Sequence, residues 1–202
     1  MSALPVSFYN QTVFAVARGL LGARLVRSIG RDRLAGYIIE TEAYAGESDL
    51  ACHARAGRTP RTEIMFGPPG RAYIYFIYGM HWMLNCVSEP EDAPTAVLIR
   101  ALLPVEGLDI LGRGKDPNQP ARWTNGPAKL CKAMSIDDRL NGADLTDPGS
   151  GLWIEPGRPI SESEIISGPR VGIQNVPEPW RSQPWRYQLD IKNNPLSAHT
   201  SG

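Results

Sequence analysis

Three side chains near the end of one apolar run could do chemistry together. In residues 38–44, IIETEAY, strand alternation puts Ile38, Glu40, Glu42 and Tyr44 on one face and Ile39, Thr41 and Ala43 on the other. A carboxylate in such a run is costly to bury without a partner. One outcome is an ion pair in the core. Arg100, inside VLIRALL, demands a partner from the other side, and Glu42 or Glu40 is the natural candidate. The other outcome is a pocket in which one carboxylate acts as a general base and Tyr44 forms an aromatic wall. A two-carboxylate glycoside hydrolase is also open, because same-face residues two apart lie about 6.6–6.8 Å apart at Cα and carboxyl spacings in such enzymes overlap that range. Carbohydrate sites usually also need aromatic platforms along an open cleft, whereas the aromatics here gather in a hairpin.

The elements around these residues follow from periodicity and turn chemistry. Asn10 is placed to cap a helix carrying Val13, Val16, Ala17, Leu20 and Leu21, with Gly22 at its end. Residues 24–28 and 34–44 read as a hairpin leading into the acidic stretch. The polar segment that follows is long for a loop in a compact domain and reads as functional, with a short helix at 48–53 and anchors at Met65 and Phe66. Residues 71–87 read as a second hairpin with Tyr78-Gly79-Met80-His81 at its tip, Tyr73, Tyr75 and Ile77 on one face, and Trp82 near the exposed end. An apolar, aromatic tip is poor surface chemistry unless something covers it. A wedge that enters a base stack is the functional reading. Residues 95–103 read as a strand buried on both faces. Short helices are expected at 105–111 and from Gly126-Pro127 to Met134, a capping box at Ser161–Glu164, and late strands at 152–155, 170–173 and 185–189. The expected architecture is mixed α/β (α+β), with a curved, largely antiparallel sheet, surrounding helices and a protruding hairpin. One domain spans residues 1–192, and a flexible tail spans 193–202.

Composition narrows the partners. Lys plus Arg and Asp plus Glu are each 21, so the net charge is zero and no strongly basic balance points to nucleic acid. The charges are nevertheless unevenly spread. Arg55, Arg58, Arg61 and Arg71 lie close together against Glu63, and Arg113, Lys115, Arg122, Lys129 and Lys132 form another basic run, so a basic face is compatible with the neutral total. The three cysteines lie far apart with no CxxC, which suits a reducing compartment, and Cys52-His53 is too little for a metal site. No apolar run is long enough to span a bilayer. A soluble intracellular protein is expected, cytoplasmic or nucleoid-associated in a bacterium and nuclear in a eukaryote.

Taken together, ETEAY at 40–44, Ala51 with His53, RTPR at 58–61 followed by MF, YIYFIYGMHWMLN, VLIRALLPVEGL, NGPAKLCKAM and PRVGI resemble the alkyladenine (3-methyladenine, alkylpurine) DNA glycosylase family shared by vertebrates and many bacteria. No single segment is specific; the ordered set is. The resemblance implies excision of alkylated or deaminated purines from duplex DNA, with the base flipped out and the N-glycosidic bond hydrolysed. Glu42 matches the general base, and Arg100 the arginine that helps hold the water. Tyr44, His53 and Tyr75 match the residues that sandwich the base, with the His53 amide reading its edge. Asn85 matches the residue that disfavours the amino group of guanine, and Leu98 a pocket-wall position. Tyr78 matches the intercalating residue. Arg58, Arg61 and Lys129 are the candidates for holding the DNA backbone. No lysine sits in these pocket segments, so a lyase step is not expected, and neither is a metal or other cofactor. A monomer acting on double-stranded DNA is expected. A nucleic-acid binding module without catalysis is the remaining alternative, separable by Glu42→Gln.

Overall fold

Strand alternation, broken at a few defined points, organises the computed structural model, which describes residues 2–190. In chain order the elements are α1 (Val6–Tyr9), α2 (Val13–Gly19), β1 (Arg24–Ile29), β2 (Asp32–Tyr44), β3 (Ala72–Ile77), β4 (His81–Ser88), β5 (Thr95–Glu106), α3 (Leu108–Leu111), α4 (Pro127–Ala133), β6 (Leu152–Glu155), β7 (Ile165–Gly168) and β8 (Arg186–Leu189). Short 3-10 turns lie between them. The strands form one eight-stranded sheet in the order β3-β4-β5-β2-β1-β6, with β8 joining β2 and β7. Every pairing between these strands is antiparallel, and the sheet curls into half a barrel. β2 is its spine. One edge of β2 runs along β5, and the other is shared by β1 in its first half and by β8 opposite Glu40–Glu42.

Alternation sorts the side chains into two layers. Ala72 and Ile74, Leu84 and Cys86, and Val97 and Ile99 enter the main core, where α2 and α4 pack on the sheet. Tyr73, Val87 and Ala96 point the other way, into a second cluster with Cys52, Ala54 and Met65 from the long loop after β2. That loop is therefore anchored through Met65, as expected. Its helical content falls in 3-10 turns at Gly46–Ser48, His53–Ala56 and Glu63–Phe66, rather than in a helix at 48–53. Asp49 interrupts the expected helix, because its side chain accepts the amides of Ala45 and Ala51.

Several sequence expectations need correction. Ile38 does not share a face with Glu42. The register against β5 shifts on either side of Glu40, and both Ile38 and Ile39 pack in the main core. Thr12, not Asn10, caps α2, its hydroxyl accepting the Ala15 amide, while Asn10 ends the unforeseen α1. β5 runs on through Pro104 to Glu106, leaving only α3 of the helix expected at 105–111; Pro104 is tolerated because the register shifts beside its partner Gly36. Trp82 turns inward onto the core and the Phe76 ring. The capping box of Ser161 and Glu164 forms over a single 3-10 turn. The strand expected at 170–173 is absent, and β7 forms just before it. The tail at 193–202 lies outside the described residues.

Candidate active site

The face of the sheet opposite the main core carries a cavity of about 500 Å³. Its floor follows from the alternation just described. Tyr44 comes from β2, Tyr73 and Tyr75 from β3, Asn85 from β4, and Leu98 and Arg100 from β5. His53 enters from the anchored loop, Tyr78 stands at the mouth, and the segment from Val171 to Pro177 forms the far wall. Among the described residues, no lysine lines it.

Glu42 lies directly behind this floor, with its side chain fully buried. Arg100 reaches its Oε1 at 3.2 Å, the Val171 amide donates to the same oxygen at 2.7 Å, and the Tyr44 hydroxyl donates to Oε2 at 2.9 Å. The expected pairing with Arg100 thus holds for both acids: its Nε donates to Glu40 Oε1 at 2.9 Å. Glu40 is also bound by Arg186 at 3.2 Å, and neither acid lines the cavity itself, whereas Tyr44, Arg100 and Val171, which hold Glu42, do. A carboxylate has about four lone-pair positions, two on each oxygen, so Oε2, with Tyr44 as its one donor among the described residues, keeps one acceptor position. Burial raises the Glu42 carboxyl above its ordinary value; Arg100, the Val171 amide and the Tyr44 hydroxyl pull against that, and Glu40 adds to it. Burial opposes the Arg100 charge, but Glu42 and Glu40 outweigh it and hold the guanidinium above its usual value. Burial, then the Glu42 charge, keep Tyr44 protonated, so it is a donor to that carboxylate.

The aromatic groups converge in the same way. His53 Nδ1 and the Tyr73 hydroxyl lie 2.9 Å apart, and the His53 and Tyr75 rings meet edge to face at 4.5 Å. Burial, then the charges of Arg61 and Arg55, lower His53 to about 4, so its ring is neutral near pH 7. His53 is also the first residue of a 3-10 turn, where an amide has no acceptor within the turn. Asn85 is buried and donates through Nδ2 to the Tyr73 carbonyl at 3.0 Å. Leu98 sits opposite both Glu42 and Asn85 in register. Tyr78 is 78 % exposed and Met80 67 % exposed at the hairpin tip.

The three basic candidates separate. Arg58 is ion-paired with Glu63 and Asp92 and lies over the Phe66 ring, so its charge is already engaged. Arg61 stacks over Tyr75 at 5.2 Å, at the edge of the site. Lys129 is exposed on α4 and holds Asn125 at 2.8 Å.

Sequence reasoning missed Asp49 and Arg170. They form a fully buried ion pair beside the site, with Arg170 between the Tyr44 and Trp185 rings. Their signal was present: an arginine next to Pro169 in PRVGI, one of the segments carrying the family resemblance, and an aspartate in the loop between Tyr44 and His53. Neither came with a strand or helix pattern to fix its direction. The missing strand at 170–173 has the same cause, because the Arg170 side chain and the Val171 amide are committed to Asp49 and Glu42 instead of a ladder.

Comparison with known proteins converges on one family. The family model described as methylpurine-DNA glycosylase matches residues 7–194. A relative from Myxococcus xanthus is 47% identical over 92% of this chain and 89% of its own length. One from Methanocella arvoryzae is 45% identical over 96% and 95%. One from Bacillus licheniformis is 45% identical over 92% of each. All three are provisionally named 3-methyladenine DNA glycosylases. With a match across nearly the whole sequence and relatives of nearly equal length, the chain belongs to the methylpurine-DNA glycosylase family.

Proposed function

We propose that the chain excises alkylated purines such as 3-methyladenine from double-stranded DNA as a monofunctional glycosylase, using Glu42 to activate the attacking water. Family membership makes it a DNA N-glycosylase of the repair of alkylated purines. The observation that carries the finer reading is a single buried carboxylate with three donors behind an aromatic cavity. Inside a duplex the glycosidic carbon is out of reach, so the nucleotide must turn out, and a damaged base costs least to extrude. Tyr78 would fill the gap it leaves. A purine alkylated at N3 or N7 is a cation, and Tyr44 and Tyr75 offer it electron-rich ring faces. A neutral His53 completes the pocket without repelling that cation. The base is then already a good leaving group. Glu42 takes a proton from water attacking C1′, and its charge favours the positively charged sugar that develops. General-base help is worth roughly 10² to 10⁴ in rate. Because no lysine among the described residues lines the cavity, no Schiff base would form and the abasic strand would stay whole.

The direct test is single-turnover incubation with a duplex carrying one N3- or N7-alkylated purine. Free base and an unbroken abasic strand are expected. Strand scission without added base would contradict the monofunctional reading, and no release from any alkylated purine would contradict the activity. The glycoside hydrolase reading needs a second available carboxyl, and Glu40 is tied to both Arg100 and Arg186.

A further inference from the structure

Three chain segments meet at the candidate site without sharing a regular ladder there. The end of β2 brings Glu42 and Tyr44, the loop after it brings His53, and the segment after β7 brings the Val171 amide. Val171 is 47% exposed, so its burial does not hold the segment in place. Arg170 does. Its Nη1 donates to the Ala43 carbonyl at 2.9 Å and to Asp49, and its Nη2 donates to Asp49 Oδ1 at 2.9 Å and to the Trp180 carbonyl at 3.3 Å. The guanidinium lies 4.7 Å from the Tyr44 ring centre and 4.8 Å from that of Trp185. Asp49 extends the link, accepting the Ala45 amide at 3.1 Å and the Ala51 amide at 3.0 Å. One ion pair therefore touches the backbone on both sides of Tyr44, the loop that carries His53 and the residue before Val171.

We infer that the buried Asp49–Arg170 pair is a positioning device: it places the Val171 amide on the Glu42 carboxylate and keeps that carboxylate aimed at the cavity for base release. The inference rests on the reading of Glu42 as the general base. A planar fork is suited to this task, because a lysine offers one point charge and could not hold two carboxylate oxygens and two carbonyls at once. The consequence for Glu42 has a definite sign. A hydrogen bond donated to a carboxylate favours its charged form. Loosening Arg170 weakens the Val171 bond and moves ionisation of Glu42 to higher pH. The other groups facing Glu42 are Arg100 from β5, Glu40 and the Tyr44 hydroxyl from β2, and Arg186 from β8, which is bound to Glu40; of these Tyr44 also rests on Arg170, and a weaker bond from its hydroxyl would move Glu42 in the same direction.

The test compares wild type with Arg170→Lys and Trp185→Leu. The second leaves the Asp49–Arg170 ion pair intact and removes the half-buried Trp185 ring, which stacks on Arg170 and also meets Phe14 at 5.1 Å. Single-turnover release is followed against pH on a duplex carrying an N7-alkylated purine. That base is already cationic, so the acid limb reports the general base. Thermal melting and affinity for an abasic duplex are measured alongside. The acid limb is expected at higher pH in both variants and further up in Arg170→Lys, with binding nearly unchanged. At a pH well below the limb, a limb lying one pH higher means a rate about tenfold lower. An acid limb that stays put, with rates falling only as the folded fraction falls, would overturn the positioning role. Should Arg170→Lys fail to fold, Trp185→Leu decides by the same two outcomes. A wild type that releases no base would instead overturn the reading of Glu42, and the inference with it.

Discussion

Glu42 is held by an amide, a phenol and a guanidinium, yet burial still raises its carboxyl. A base works only when ionised, so activity should fall as pH drops through that raised value, earlier than for an exposed carboxylate. Arg100→Met removes an opposing positive charge and should push the acid limb higher still. It should also lower stability, by about 3 kcal/mol or more for a broken buried pair; a limb that moves down would contradict the assigned electrostatics. His53 makes a second, independent prediction. Its ring should stay neutral until pH approaches about 4, which ring-proton NMR can follow. Since the folded value lies below the unfolded one, His53 contributes stability that is fully present above about 6.5 and is lost as pH falls toward about 4. An NMR titration centred near 6.5 would contradict its burial. At this scale the sequence was informative about residue types. Glu42, Tyr44 and Arg100 announce themselves because charged or polar groups in apolar strands need partners. Asp49 and Arg170 sit in loops, where no periodicity assigns a direction, and only the folded chain pairs them.

The β3–β4 hairpin shows what an element adds. Alternation was enough to send Tyr73 and Tyr75 to one side and Ala72 and Ile74 to the other, and Asn85 is fixed on the cavity side by pairing with Tyr73. The tip is different, because nothing among the described residues covers Tyr78, and its φ of 55° is unusual for a large residue. Tyr78→Ala should leave the melting temperature almost unchanged and weaken capture of a flipped-out lesion by about 1–3 kcal/mol, the range for a base–aromatic stack. Equal affinity for lesion duplex in this variant and wild type would remove Tyr78 from the interface. Element boundaries were legible where period two persisted and failed where a register shift intervened. The slip around Glu40 moved Ile38 off the face assigned to it, and β5 ran past the proline expected to end it. Both are decisions of strand pairing, which a single strand's pattern does not contain.

For the whole molecule, a net charge of zero makes the arrangement of charge the deciding quantity. Arg58 and Arg71 already face acids within the chain, whereas Arg61 and Lys129 present their charges at the edge of the site and on α4. Lys129→Ala should reduce the slope of log binding constant against log salt by about one contact's worth, near 0.9. Arg58→Ala should change that slope less and chiefly loosen the loop it ties to Asp92. The reverse ranking would place the DNA backbone on the other side of the cavity. The curled, antiparallel sheet with its helices was legible from periodicity and from family resemblance together, although α1 and β7 were not. The convergence of β2, the anchored loop and the segment after β7 was not, because contacts between distant segments leave no local pattern. That convergence is what makes Glu42 a candidate base. The measurement that bears on it most directly is single-turnover release from a duplex with one N7-alkylated purine, comparing wild type with Glu42→Gln, with lesion binding measured on the same preparations. Binding should survive the substitution while release falls by roughly 10² or more, the scale of lost general-base help. Release by Glu42→Gln at the wild-type rate would show that another group, or the solvent alone, delivers the water.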